Sequence, residues 1–200
     1  MTAHSGYARD PDGFYIEERR FVEWLADAET FEGAIFDPCA GIGTIPEVFR
    51  ARGHLVDYAD KVDRGFPGTR VKDFLIEPPI CADNVVMNPP FDRAEEFIHT
   101  ALQVATRKVA ILAGNNFPHS LGRLARLYRP HRPRIVYYIA PKGSMPPGRL
   151  LVEGKIKRRN GRGNFVWIVW DKGYRGPSLS GWLPLAEAGD QRSDVRRGAA

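Results

Sequence analysis

Apolar residues along this chain occur in short runs separated by stretches of helical spacing. Residues 34–37 (AIFD) form an apolar run stopped by Pro38 and a glycine-rich turn, the pattern of a buried strand reaching a loop. Residues 54–60, 84–87, 108–113 and 134–140 read as further strands, and 165–170 (FVWIVW) as a strong one, β-branched or aromatic throughout. Residues 71–76 fit a short strand or a single turn. Between these runs, apolar positions three and four apart predict helices over 14–30, 44–51, 94–106 and 121–128. In the first, Phe14, Phe21, Trp24, Leu25 and Ala28 fall on roughly one face, and Gly53 is placed to cap the second. Residues 1–13 are polar and turn-rich and are expected to be a flexible N-terminus. Residues 141–163 hold three prolines and five glycines, so a loop is expected, and 176–200 is expected to be a mostly irregular tail.

Strands alternating with helices predict an α/β fold: a mostly parallel sheet with helices on both faces and ligands at the carboxyl ends of the strands. The length of 200 residues suits one domain, expected over 14–175. No apolar run is long enough to cross a bilayer, and the N-terminus lacks the pattern of a signal peptide. The only cysteines are Cys39 and Cys81, with no CxxC pair, which argues for a reducing, cytoplasmic setting and against a structural metal. Charge changes the picture more. The net of +5 conceals 10 Lys/Arg against 19 Asp/Glu over 1–106, and 16 against 2 over 107–175. An asymmetry of this size suggests a surface that meets a polyanion; a merely basic, soluble surface is the plain alternative.

Candidate chemistry sits at two strand ends. Asp37-Pro38-Cys39-Ala40-Gly41-Ile42-Gly43 joins a strand to a helix. Gly41 and Gly43 permit close backbone approach and positive φ, the helix start offers free N–H groups, and Asp37 suits an amino or amide group. Pro46 replaces a third glycine and no Gly-Lys-Ser/Thr follows, so neither a dinucleotide fingerprint nor a P-loop is present. Asp60, 17 positions after Gly43, can accept from a ribose diol. Asp73 can take the amino group of an adenine, with Phe74 against its ring. A ligand with an amino-acid end, a ribose and an adenine fits these acids in order; a tight turn with solvated acids nearby is the competing reading.

Asn88-Pro89-Pro90-Phe91 ends the 84–87 strand. Two prolines lock φ and remove two donors, leaving the Asn88 side-chain carbonyl and the Pro89 carbonyl as rigid acceptors beside the flat Phe91 ring. That set suits a planar base bearing an NH2 group. A plain strand-ending turn, as Pro146-Pro147 is taken to be, is the alternative.

DPCAGIG followed by NPPF resembles motifs I and IV of the class I S-adenosylmethionine-dependent amino-methyltransferases. The resemblance spans roughly 14–170 and implies a Rossmann-like, seven-stranded sheet with an antiparallel last strand, supplied by FVWIVWD. It implies S-adenosylmethionine as cofactor, its methionine part at Asp37, Ala40, Gly41 and Gly43, its ribose at Asp60 and its adenine at Asp73 and Phe74. Tyr15 matches a less specific aromatic position near the cofactor. Direct methyl transfer to an amine held by Asn88 and Pro89 is the implied mechanism, with no metal and no covalent intermediate. Cys39 lies in the cofactor loop, away from the place of a cytosine-C5 nucleophile.

NPPF is shared by methylases of adenine in DNA, adenine in RNA and glutamine in protein. The glutamine enzymes carry NPPY and an N-terminal helical domain, for which nothing before Asp37 leaves space. The basic residues Lys142, Arg149, Lys155, Lys157, Arg158, Arg159 and Arg162, against Glu153 alone, favour nucleic acid, with a loop placed to track phosphates around an extruded base. Arg123, Arg126, Arg129, Arg132 and Arg134 form a second basic group. The chain further resembles small phage- or prophage-type DNA adenine-N6 methylases, which carry stretches like Asp60-Lys61-Val62-Asp63-Arg64-Gly65 and Asp73-Phe74-Leu75. An RNA adenine methylase and a catalytically idle nucleic-acid-binding module remain open.

Overall fold

The computed structural model describes Asp10, residues 12–158, Gly161 and residues 163–185; the expectations for residues 1–9 and 186–200, and for Arg159 and Arg162, fall outside these. An eight-stranded sheet runs in the order β3-β2-β1-β4-β5-β7-β6-β8. Its strands are β1 (Ile35–Asp37), β2 (Val56–Asp60), β3 (Arg70–Val71), β4 (Ala82–Met87), β5 (Ala105–Gly114), β6 (Ile135–Ile139), β7 (Phe165–Asp171) and β8 (Leu179–Leu183). Only β7 runs against its neighbours, slotted between β5 and β6. The strand order reverses between the parallel neighbours β1 and β4, so the ends of both strands open on the crevice where such folds hold ligands.

Central strands are buried on both faces. In β5, Val109, Ile111 and Ala113 join one core cluster while Ala110 and Leu112 join the other. β7 divides likewise, with Val166, Ile168 and Trp170 on one side and Trp167 and Val169 on the other. This explains the unbroken apolar runs in sequence: period two still holds, but each face meets its own helix layer. α1 (Arg19–Ala28) and α2 (Thr44–Ala51) cover one face, α3 (Ala94–Val104) and the turn α4 (Leu121–Arg123), widened to π-helical pitch over Leu124–Tyr128, the other.

Three expectations are corrected. The helix over 14–30 begins only at Arg19; residues 14–18 are extended apart from a bridge at Tyr15 to Pro147. Phe14 O accepts from Gly148 N–H (2.7 Å) and Ile16 N–H donates to Pro146 O (3.3 Å), so pairing with a distant segment replaces helical hydrogen bonds. The 141–163 loop carries a short helix, α5 (Gly148–Val152). The sheet has an eighth strand: β8 pairs parallel with β6, so among the described residues the antiparallel strand β7 is the seventh and is followed by a parallel one. Leu183 is the one residue of β8 buried in the core, while Leu179 and Trp182 are exposed, so its apolar residues do not mark a buried face.

Candidate active site

A cleft open on one side lies at the carboxyl ends of β1, β2 and β4. Its walls include Pro38 to Ile42 from the glycine turn, Asp60 to Val62 after β2, Asp73 and Phe74, Asn88 and Pro90, and Asp12 to Glu17 from the strap before α1. Both unusual motifs of the sequence therefore meet in one cavity.

The glycine turn is held by its own backbone. Gly41 N–H donates to Asp60 Oδ2 (2.9 Å), and Ala40 N–H to Ala59 O (3.0 Å), clamping the turn to the end of β2. Gly41 adopts φ +54°, and a Cβ there would stand 3.1 Å from the Phe14 ring. Gly43 and Asp37 stand behind the cleft wall rather than in it. Gly43, at φ +89°, lies so close under Phe66 that a Cβ would sit 2.2 Å from the ring. Asp37 has no exposed surface; its Oδ1 accepts from Cys39 N–H (2.9 Å) and its Oδ2 has no partner. Burial pushes its carboxyl well above the usual range, and the nearby Glu17 and Asp60 charges push the same way. Burial, then the charges of Asp37 and Asp60, likewise raise the Cys39 thiol, which keeps it protonated and poorly nucleophilic.

Asp60 is raised by burial, against the opposing N–H donors of Val62 and Gly41. Asp73 is the contrast. Burial works to raise it, but the Lys61 ammonium (3.0 Å) and Leu75 N–H (3.0 Å) win and hold it below its ordinary value. Phe74 is buried between Phe36 and Phe97, with ring centroids 5.9 and 5.8 Å away, and gives the cleft an aromatic floor.

Asn88 is the most constrained polar group. Its Nδ2 donates to Tyr15 O (2.8 Å) and to Glu17 Oε2 (2.8 Å), while its Oδ1 is buried without a partner. Pro89 is buried, and Pro90 O accepts from Arg93 N–H (3.1 Å), which ties the motif to the start of α3. The Phe91 ring lies parallel to Tyr15 at 5.9 Å and tilted against Phe165 at 6.4 Å. Tyr15 thus serves the site through its carbonyl and ring. Sequence reasoning missed Glu17, which is 8% exposed, and Arg64, whose guanidinium sits 4.2 Å over the Phe14 ring and 3.9 Å from Asp60 Oδ1.

The basic residues divide. Lys142, Arg149, Lys155 and Lys157 are exposed, Lys155 paired with Glu153 at 2.7 Å. Arg158 has another employment: it donates to Ile16 O (3.1 Å), Ser144 O (3.0 Å) and Glu17 O (2.7 Å), fastening the strap to the loop. In the second group, Arg123 and Arg126 pair with Glu95 and Arg134 with Glu29, leaving Arg129 and Arg132 exposed. Among the described residues no cluster of His, Cys, Asp and Glu is placed to hold a metal, and no helix is long and apolar enough to cross a membrane.

Solved structures share this architecture. The EcoKI M protein, of a type I restriction enzyme, superposes with a TM-score of 0.59 at 13% identity, over 82% of this chain and 45% of its own. A Listeria monocytogenes structure assigned to the class I S-adenosylmethionine-dependent methyltransferases gives 0.54 at 10% identity, over 83% of this chain and 63% of its own. The hMettl16 catalytic domain, in complex with the MAT2A 3'UTR hairpin 1, gives 0.52 at 15% identity, over 88% of this chain and 79% of its own. The chain has the fold of S-adenosylmethionine-dependent methyltransferases. It spans less than two thirds of the first two of these proteins. No family model and no curated protein sequence matches it.

Within the methyltransferase fold, the residues present suit a cofactor that carries an ammonium and a sulfonium. Glu17, Asp37 and Asp60 gather acidic charge at the cleft, and the Asp37 Oδ2 and Asn88 Oδ1 acceptors are unmet by any protein donor.

Proposed function

We propose that this chain transfers a methyl group from S-adenosylmethionine to the exocyclic N6 amine of adenine in DNA. One observation carries the reading: a buried, unpartnered carbonyl oxygen, Asn88 Oδ1, at the tip of β4 beside an acidic cleft. A buried acceptor left unmet costs on the order of 1–3 kcal/mol, so it marks a place where a substrate donor is expected.

S-adenosylmethionine, when bound, supplies an electrophilic methyl on a positively charged sulfur. The Gly41 turn receives its methionine end near Asp37, Asp60 accepts from its ribose, and Asp73 and Phe74 hold its adenine. Asn88 Oδ1 and the Pro89 carbonyl then accept the two N–H bonds of the target amine. This withdraws the nitrogen lone pair from conjugation with the ring and fixes its direction. Tyr15 and Phe91 give the target base an aromatic wall. Orientation and charge complementarity do the work, and the excess proton leaves to water. Lys142, Arg149, Lys155 and Lys157 hold phosphates near the strap.

The test is transfer of tritium from labelled cofactor to duplex DNA, single-stranded DNA and structured RNA, with nucleosides identified by mass spectrometry. N6-methyladenine in DNA is expected, with Asn88→Ala losing transfer on the order of 10²-fold or more while still binding cofactor. Undiminished transfer in Asn88→Ala would refute the assignment. Transfer to RNA alone would move the substrate, and cofactor-independent nucleic-acid binding without transfer would leave an idle binding module.

A further inference from the structure

We infer that Glu17 is a positioning residue that decides which end of the Asn88 amide faces the cleft. The inference rests on the amine-methylation reading for its purpose, though not for its geometry.

An asparagine amide fills nearly the same volume either way round, so packing alone does not choose between C=O and NH2 toward the substrate. The choice is made behind the amide. Two acceptors stand there: Tyr15 O and Glu17 Oε2, each 2.8 Å from Nδ2. Turning the amide over would press Oδ1 against both oxygens and present NH2 to the incoming amine, donor against donor. Tyr15 O accounts for one N–H; only Glu17 accounts for the second.

Glu17 is itself fixed. The Thr44 side chain opposes the burial that raises its carboxyl, and Arg158 donates to its backbone carbonyl at 2.7 Å. The side chain thus reaches inward from an extended strap that the 141–163 loop clamps from outside. As a carboxylate Glu17 can only accept, which forces Nδ2 toward it. Once protonated it can donate to a flipped Oδ1, so protonation releases the constraint. The charged or titratable groups facing it are Arg158 from the loop, Asp37 from β1 and Cys39 from the turn after it. Burial raises its carboxyl, with Asn88, Thr44 and Arg158 opposing. The release is therefore expected as an acid limb above the ordinary carboxylate range.

Glu17→Gln keeps size and shape but can donate as well as accept, so it satisfies either amide orientation. The full-length variant is assayed at saturating S-adenosylmethionine, because losing one acidic charge at the cleft is expected to weaken cofactor binding. Its kcat should fall on the order of 10-fold to 10²-fold, and the acid limb of the parent's kcat profile should vanish. The Asn88 NδH2 signals, assigned by their loss in Asn88→Asp, should lose protection from solvent exchange. Thr44→Val, a milder change one bond further back, should move all three in the same direction by less. An unchanged acid limb and unchanged amide protection in Glu17→Gln would overturn the inference. If the parent methylates no nucleic acid while Glu17→Gln still loses amide protection, the methylation reading fails and the orienting role stands.

Discussion

Asp37 combines zero exposure with one unpartnered carboxylate oxygen, so ionising it costs more than the single Cys39 N–H returns. Burial raises Glu17 and Asp60 as well. The sign of the linkage follows. These carboxyls keep protons in the folded state at pH values where the unfolded chain has released them. The stability they contribute is full below the unfolded carboxylate value and is lost as pH rises through the folded values. A cationic ligand reverses the trend, since it is held best by ionised acids. Stabilisation by S-adenosylmethionine should therefore grow as pH rises above the ordinary carboxylate range, and outgrow that by S-adenosylhomocysteine, which lacks the sulfonium charge. Melting curves with each ligand across that rise check this, and parallel, flat responses would count against a cofactor seated beside these acids. Gly43 supplies a second residue-level test. Alanine there meets both a left-handed φ and the Phe66 ring, so Gly43→Ala should lower unfolding free energy by about 2–4 kcal/mol in denaturant titrations. Trimming the ring in Gly43→Ala/Phe66→Ala should relieve the clash but not the backbone strain, giving a non-additive pair.

Elements become legible in sequence where local pattern and tertiary partner agree, and fail where they conflict. α2 falls on the expected 44–51, because its apolar stripe (Ile45, Val48, Phe49) is also the stripe it buries. Residues 14–18 carry helical spacing but form the strap, since their hydrogen-bonding groups are claimed by 146–148, a partner no local window contains. The glycine turn and NPPF were readable because each combines rare residue types with a strand end. Glu17 was not, because a glutamate opening an amphipathic stretch reads as a solvated helix start; only its contact with Asn88 reveals it. α1 ends on a similar hidden anchor. The Glu29 side chain, 2% exposed, accepts from Lys108 (2.9 Å), from Tyr137 OH (2.7 Å) and from Arg134, linking the helix end to β5 and β6. Tyr137, buried beside this carboxylate, is pushed up to about 12, chiefly by burial. Glu29→Ala strands two cations and a hydroxyl, so a loss of about 3–5 kcal/mol in unfolding free energy is expected. A loss under ~1 kcal/mol would mean that water replaces the carboxylate freely.

Over the whole molecule, the charge asymmetry of the sequence becomes a division of labour. The acidic portion, 1–106, builds the strap and the walls of the cleft, including Glu17, Asp60 and Asp73, with Asp37 behind them. The basic portion supplies β5 to β7 and the loop packed against the strap. Much of the second basic group is neutralised within the fold by Glu95 and Glu29, and Arg158 is committed to carbonyls. The exposed positive charge left for a polyanion includes Lys142, Arg149, Lys155 and Lys157 on the loop, Lys155 shared with Glu153, and Arg129 and Arg132 after α4, while the acidic cavity repels phosphates from its interior. Phosphates are expected to settle on the rim while a neutral base enters, a sorting that suits an extruded nucleotide. Each lysine or arginine that displaces a counterion contributes ~0.9 to the slope of log K against log salt on duplex DNA. Replacing the four loop residues by glutamine should flatten that slope by up to ~3–4 and weaken binding at low salt. Cofactor affinity should stay as it was, because none of the four lines the cleft. Arg123→Gln and Arg126→Gln should leave the slope unchanged, since both guanidiniums pair with Glu95 and Arg123 also holds Phe117. A slope that responds to Arg123 and Arg126 but not to the loop would put the nucleic acid over α4 instead, leaving the cleft mouth to another substrate.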